Sequence, residues 1–180
     1  MASNRFFTGL LLTLAIIATF FAGLFAQDLS REEIVKLVYP GTSVKSEYVF
    51  LTKDQQLQAA EQSGVDVPSA LIARYLASKN DEIVGTAYID THIVRTKKET
   101  LLIALNTAGE VLHIEVTAFL EPREYLAPDT WLRQYEGRVL NADLAIHRAI
   151  RPIAGGTLTA HATNEAVRRV LAIDEILKEN

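Results

Sequence analysis

With 180 residues and 49% hydrophobic side chains, the chain has material for one packed domain plus a targeting segment, which argues against wholesale disorder. Its formal net charge of -4, with no dense run of Lys and Arg, argues against a nucleic-acid footprint. It has no cysteine, which excludes disulfides, thiolate zinc sites, iron–sulfur ligation and thioether attachment of a c-type haem.

The chain opens with a short segment carrying one cation, Arg5. Phe6 to Ala26 then runs without a charge, ahead of Gln27 and Asp28. Residues 1–26 read as a Sec-type signal peptide or an uncleaved membrane anchor, and Ala26 is a candidate cleavage residue. Either reading puts the remainder outside the cytoplasm, in the periplasm. A lone arginine before the apolar run favours an N-terminus held inside.

Residues 27–83 read as a segment of helices and strands packed on the domain that follows. Ser30 and Glu33 have the spacing of a capping box, and Ile34, Leu37 and Val38 form an apolar stripe up to the stop signal Tyr39-Pro40-Gly41. Tyr48 to Phe50 is a short extended piece. Thr52 and Gln55 repeat the capping signature, for a helix ending near Ser63-Gly64. The pattern then turns to strands. Leu71 to Ala77 and Ile83 to Asp90 flank a polar turn, and Thr100 to Asn106 and Val111 to Phe119 flank Thr107-Ala108-Gly109-Glu110. In the last strand Leu112, Ile114 and Val116 alternate with His113, Glu115 and Thr117, which predicts one buried and one polar face. A loop with two prolines runs from Glu121 to Pro128. Trp131 to Tyr135 reads as a short helix closed by Gly137. From Thr159 onward a final helix turns Val167, Val170, Leu171 and Leu177 inward and leaves Arg168 and Arg169 on a solvated face. The sum is an α+β fold: an antiparallel sheet with packed helices.

The stretch Ala154-Gly155-Gly156-Thr157-Leu158-Thr159 places two glycines and two hydroxyls just ahead of that helix. Glycines let backbone N–H groups approach a ligand closely, and a helix N-terminus adds unpaired donors suited to a phosphate. Read without a ligand, the same stretch is a flexible loop with Thr159 as the helix N-cap.

This stretch resembles the Ser/Thr-Gly-Ala-Thr attachment motif of extracytoplasmic FMN-binding domains, the type found in flavin-carrying subunits of sodium-pumping and Rnf-type oxidoreductases. The resemblance covers residues 84–174. It is carried in order by Gly85-Thr86-Ala87-Tyr88, the hairpin around Gly109-Glu110-Val111, Glu121-Pro122, Trp131 to Gly137, and the glycine–threonine motif. Ala154 stands where that family usually has a hydroxyl residue, Gly156 where it has alanine, and Arg151 where it often has aspartate. The resemblance implies FMN joined by a phosphoester bond to Thr157, with Thr159 as the alternative oxygen. Ala154, Gly155, Gly156 and Leu158 would lie around the phosphate, and Glu121 would orient the loop or touch the flavin ring. It also implies a flavin transferase as partner, electron exchange with membrane or periplasmic redox proteins, and an electron-transfer role rather than independent substrate conversion. Non-covalent FMN and a flavin-free sensor or interaction module of the same fold remain the alternatives.

Trp131, Tyr125 and Tyr135 are candidates to flank the flavin ring, with core packing as the other reading. His92 and Arg95 are candidates for phosphate or partner contact, or belong to a charged strand edge. The four histidines lack metal-ligand spacing, and no nucleophile motif such as Gly-x-Ser-x-Gly appears.

Overall fold

Five strands, each pairing antiparallel with the next, form a sheet whose spatial order equals the chain order β1 to β5. The computed structural model describes residues 29–179. The expected signal or anchor segment lies outside them, and no helix among the described residues is long and apolar enough to cross a membrane. Helix α1 (Arg31–Val38) leads into β1 (Ser43–Phe50), a full strand where the sequence suggested only a short extended piece. Helix α2 (Lys53–Ser63) follows, then β2 (Leu71–Lys79), β3 (Glu82–Ile93), β4 (Lys98–Asn106) and β5 (Val111–Phe119). A short helix α3 (Asp129–Leu132) and the long helix α4 (Thr157–Lys178) complete the fold. The α+β expectation holds: an antiparallel sheet with packed helices.

The turn chemistry predicted from sequence is in place. Thr52 caps α2 by accepting from the Gln55 N–H, and the Gln55 side chain accepts from the Thr52 N–H. Gly64 closes that helix at φ 69°. Asn80 and Asp81 both adopt positive φ between β2 and β3, as a two-residue hairpin of type I′ requires.

The strands bury two faces. Tyr88, Leu101, Ile103 and Leu105 point to the face covered by α4, where Val167, Val170 and Leu171 meet them. Ala77, Ala87, Leu102 and Ala104 point to the face covered by α1, through Val35 and Tyr39. Strand β4 is covered on both sides, so Leu101 to Leu105 is a continuous apolar run rather than an alternation. The close fit of α1 depends on Gly85, where any Cβ would overlap the Tyr39 ring. The Tyr39 hydroxyl donates to the Leu105 carbonyl at 2.7 Å, with the Thr86 carbonyl also in reach at 3.1 Å.

Three expectations are corrected. In β5 a bulge sets Val111 opposite Leu105 but His113 opposite Ala104, so Val111 and Ile114 are buried and Leu112 is 40% exposed. The final helix starts at Thr157 with Gly156 as its cap, so Thr159 lies inside the first turn and is not the N-cap. Arg168 and Arg169 do not form a solvated face. Arg168 donates to the carbonyls of Ser63 and Leu144, and Arg169 is buried against the sheet.

Candidate functional site

At one end of the sheet three segments meet around the start of α4: the β3–β4 turn, the loop after β5, and residues 155–159. They enclose a cavity of about 210 Å³ lined by Val94, Arg95, Glu121, Tyr125 and the run Gly155 to Thr159. Gly155 makes the turn into the helix at φ 77°, a conformation that favours glycine. Gly156 caps the helix with no side-chain hydrogen bond, and a Cβ there would meet Ile153 Cγ2 at 2.8 Å. The N–H groups of Thr157, Leu158 and Thr159 belong to the first turn, which has no intrahelical acceptors for them. The 22-residue helix adds its positive dipole end at the same point.

The two candidate oxygens sit in different surroundings. Thr159 is 1% exposed, and its hydroxyl donates to the Tyr125 carbonyl at 2.7 Å, tying the loop to the helix. Thr157 is exposed at the cavity. Leu158 is 53% exposed beside it, and Ala154 is exposed without lining the cavity.

Glu121 holds the floor of this arrangement. Its Oε1 accepts from the N–H groups of Thr96 and Lys97, both at 2.7 Å, and from the Thr96 hydroxyl at 3.3 Å. Those backbone donors keep its carboxyl below the usual carboxylate range. Glu121 thus fixes the β3–β4 turn against the loop that follows β5, with Arg95 carried at the cavity wall.

A second feature lies close by. The β2–β3 ladder ends at Ala73–Ile89, while the β3–β4 ladder runs on to Ile93–Lys98. The sheet therefore forks, and an open groove of about 1050 Å³ passes between the start of β2, the end of β3 and α4. On the β2 side, Ser69 Oγ both accepts from the Leu71 N–H and donates to the Leu71 carbonyl, capping that stretch of strand by itself. The groove floor is an ion network. His92 Nδ1 lies 2.8 Å from Asp90 and Nε2 lies 2.9 Å from the fully buried Glu99. Arg169 Nε donates to Asp90 Oδ2 at 2.8 Å and a second guanidinium nitrogen reaches Oδ1 at 3.1 Å. Burial disfavours the His92 imidazolium, but the hydrogen bonds and charges of Asp90 and Glu99 outweigh it and push its pKa up to about 9. Burial likewise works against the Asp90 carboxylate, and His92 and Arg169 overcome it, holding Asp90 below its ordinary range.

The structure thus brings Gly155, Gly156, Thr157, Leu158, Thr159, Glu121, Tyr125 and Arg95 together and leaves other candidates apart. Tyr135 is fully buried and donates to Asn164, and Trp131 stacks edge-on against it at 5.7 Å with its indole N–H on the Arg151 carbonyl. Both are core residues. His92 lies in the ion network rather than at the cavity. The partners Asp90, Glu99 and Arg169 were missed from sequence. The period-two spacing of Asp90 and His92 on one strand face was the available signal, but the cross-strand position of Glu99 needs the hairpin register. Among the described residues no group of His, Asp and Glu could hold a metal ion. No protein-family model, curated protein or solved structure matches the chain.

Proposed function

We propose that this chain is an extracytoplasmic FMN-binding protein that relays electrons, with FMN joined through its phosphate to Thr157. The observation that carries this reading is the exposed Thr157 hydroxyl at an uncapped helix N-terminus, inside a cavity walled by the Glu121 loop. The resemblance of residues 84–174 to extracytoplasmic FMN-binding domains supplies the cofactor class.

The residues fit the phosphate end of such a group. The first-turn N–H groups of α4 offer donors, Arg95 offers a cation, and Gly155 and Gly156 keep side chains out of the approach. The volume of about 210 Å³ lies below the roughly 300–1,000 Å³ of whole small-molecule sites, so it suits phosphate and the adjoining chain rather than an entire flavin. Attachment needs a flavin transferase. The Thr157 oxygen forms a bond to the FMN phosphorus of a flavin dinucleotide, the phosphoanhydride bond breaks, the other half leaves as a nucleoside monophosphate, and the threonine proton passes to solvent. Once bound, FMN supplies one- and two-electron chemistry that no side chain of this protein provides. Glu121 and Thr159 hold the surrounding loops in place. On this reading residues 1–26 serve export or anchoring, and the redox partners are membrane or periplasmic proteins.

Intact and peptide mass spectrometry on protein exported by a host with a flavin transferase tests the proposal. A flavin-mononucleotide adduct on the Thr157 peptide, absent in Thr157→Ala, is the expected result. Flavin that co-purifies but is released on denaturation keeps FMN binding and removes the covalent bond. Colourless, unmodified protein overturns the proposal and leaves a flavin-free interaction module, the reading that Ala154 favours by lacking the family's hydroxyl.

A further inference from the structure

The charge of this molecule is not evenly spread. The three segments that wall the cavity, 94–98, 121–125 and 151–158, carry Arg95, Lys97, Lys98, Arg123 and Arg151, all exposed, against Glu121 and Glu124. Of those two carboxylates, Glu121 is buried beneath backbone donors. At the opposite end of the sheet lie the β2–β3 and β4–β5 turns and the C-terminus of α4. A Cβ at Gly109 would meet Asp174 and Lys178 at 3.6 Å, which brings the β4–β5 turn to the helix end. That end carries Asp81, Glu82, Glu110, Glu175 and Glu179, with Asp174 buried and paired to Lys178, against Lys79 and against Arg138, whose carbonyl accepts from the Val111 N–H. The α4 dipole runs the same way, positive at Thr157 and negative at Lys178. A chain of net charge -4 therefore gathers exposed cations around its candidate site, with Asp66 and Glu165 exposed along the neighbouring groove.

The same pole carries exposed apolar side chains: Ile93 at 62%, Leu120 at 58%, Leu158 at 53% and Tyr125 at 37%. Exposed apolar groups interspersed with charges suit a docking surface, and a predominance of one sign steers a partner of the opposite sign. We propose that this pole is the docking surface for a redox protein with an acidic face around its own cofactor, which approaches over the Thr157 cavity. The inference rests on the electron-relay reading for its redox content. The surface itself rests on charge complementarity alone.

Two measurements separate the two claims. Soluble cytochrome b5, which is acidic, and cytochrome c, which is basic, serve as probes. In the kinetic arm, two haems take one electron each from every reduced flavin, whose protons pass to solvent. Raising ionic strength from about 0.01 to 0.15 M shortens the screening length from about 30 to 8 Å, so the rate to cytochrome b5 is expected to fall roughly tenfold and that to cytochrome c to stay flat or rise. Lys97→Glu with Lys98→Glu should lower the low-salt cytochrome b5 rate by a similar factor, while Lys79→Glu at the far pole leaves it unchanged. In the second arm, amide NMR shifts on adding cytochrome b5 to the protein, with or without flavin, should map to residues 93–98 and 120–125. Shifts there in protein that mass spectrometry shows to lack flavin even after export by a host with a flavin transferase keep the surface and remove the electron relay. Shifts elsewhere, or cytochrome b5 rates indifferent to salt and to both lysine substitutions, overturn the docking surface whatever the flavin content.

Discussion

The cavity at Thr157 and the groove above Arg169 open at the same end of the sheet, yet they are built on opposite principles. The cavity is walled by backbone: first-turn N–H groups, two glycines, and a Glu121 that spends its hydrogen bonds on the amides of Thr96 and Lys97. The groove is floored by side chains: Asp90, His92, Glu99 and Arg169 bind one another in near-complete burial. Loop-walled sites leave their reactive groups uncommitted, whereas this interlocked ion network holds two layers in register and leaves the buried Glu99 Oε1 without a hydrogen-bond partner. Titration is perturbed in both places, at Glu121 by backbone donors and in the groove by His92, Asp90, Glu99 and Arg169, so the difference lies in what stays exposed: at the cavity, Thr157.

The largest expected effect would break this contrast if it failed. Arg169→Ala leaves Asp90 and Glu99 facing a single histidine in a buried setting, and losing one partner of such a pair costs about 3–5 kcal/mol. Urea unfolding checks it, and a loss under about 1 kcal/mol would make the groove as tolerant as the cavity. A second, smaller effect comes from pH. The folded pKa of His92, about 9, exceeds its ordinary value of 6.5, so its stabilising contribution is complete below pH 6.5 and disappears as pH climbs through 9. Thermal unfolding should lose roughly 2 kcal/mol between pH 6.5 and 10, after discounting for partial solvent access, and His92→Gln should flatten that slope. The smallest effect sharpens the contrast within the cavity itself. Thr159→Val removes the bond to the Tyr125 carbonyl and should cost about 1 kcal/mol, whereas Thr157→Ala should stay within about 0.5 kcal/mol. Equal losses at both threonines would mean that Thr157 is structural.

Much of the fold was legible because it rests on local signals. The capping box at Thr52, the Gly64 stop, the Asn80-Asp81 turn and the two hairpins all follow from residues within a few positions of one another. What escaped depends on register and on partners far away in sequence. The bulge between Ala104 and Leu105 turns Leu112 outward and Val111 inward, while Ile114 and Val116 keep the expected side, and no propensity announces it. Arg169 looks like a solvated helix residue until Asp90, 79 positions earlier, is set beneath it. At the site, the glycines and threonines were readable as a motif, but the division of labour between Thr157 and Thr159 was not. It follows from where the Tyr125 carbonyl lies.

The notch at Gly85 has a consequence for the order in which the molecule is completed. Helix α1 is synthesised first, yet its Tyr39 has no place to dock until Gly85 and Leu105 have emerged, the latter 66 residues later. As the chain emerges N-terminus first, α1 must wait with Val35 and Tyr39 incompletely buried. A chain halted before β4 would leave that helix without Leu102, Ala104 and the Leu105 carbonyl, with only the residues of β1 to β3 to rest on. The first helix of the described residues is thus locked only after β4 is in place, which ties its docking to the assembly of strands made well after it.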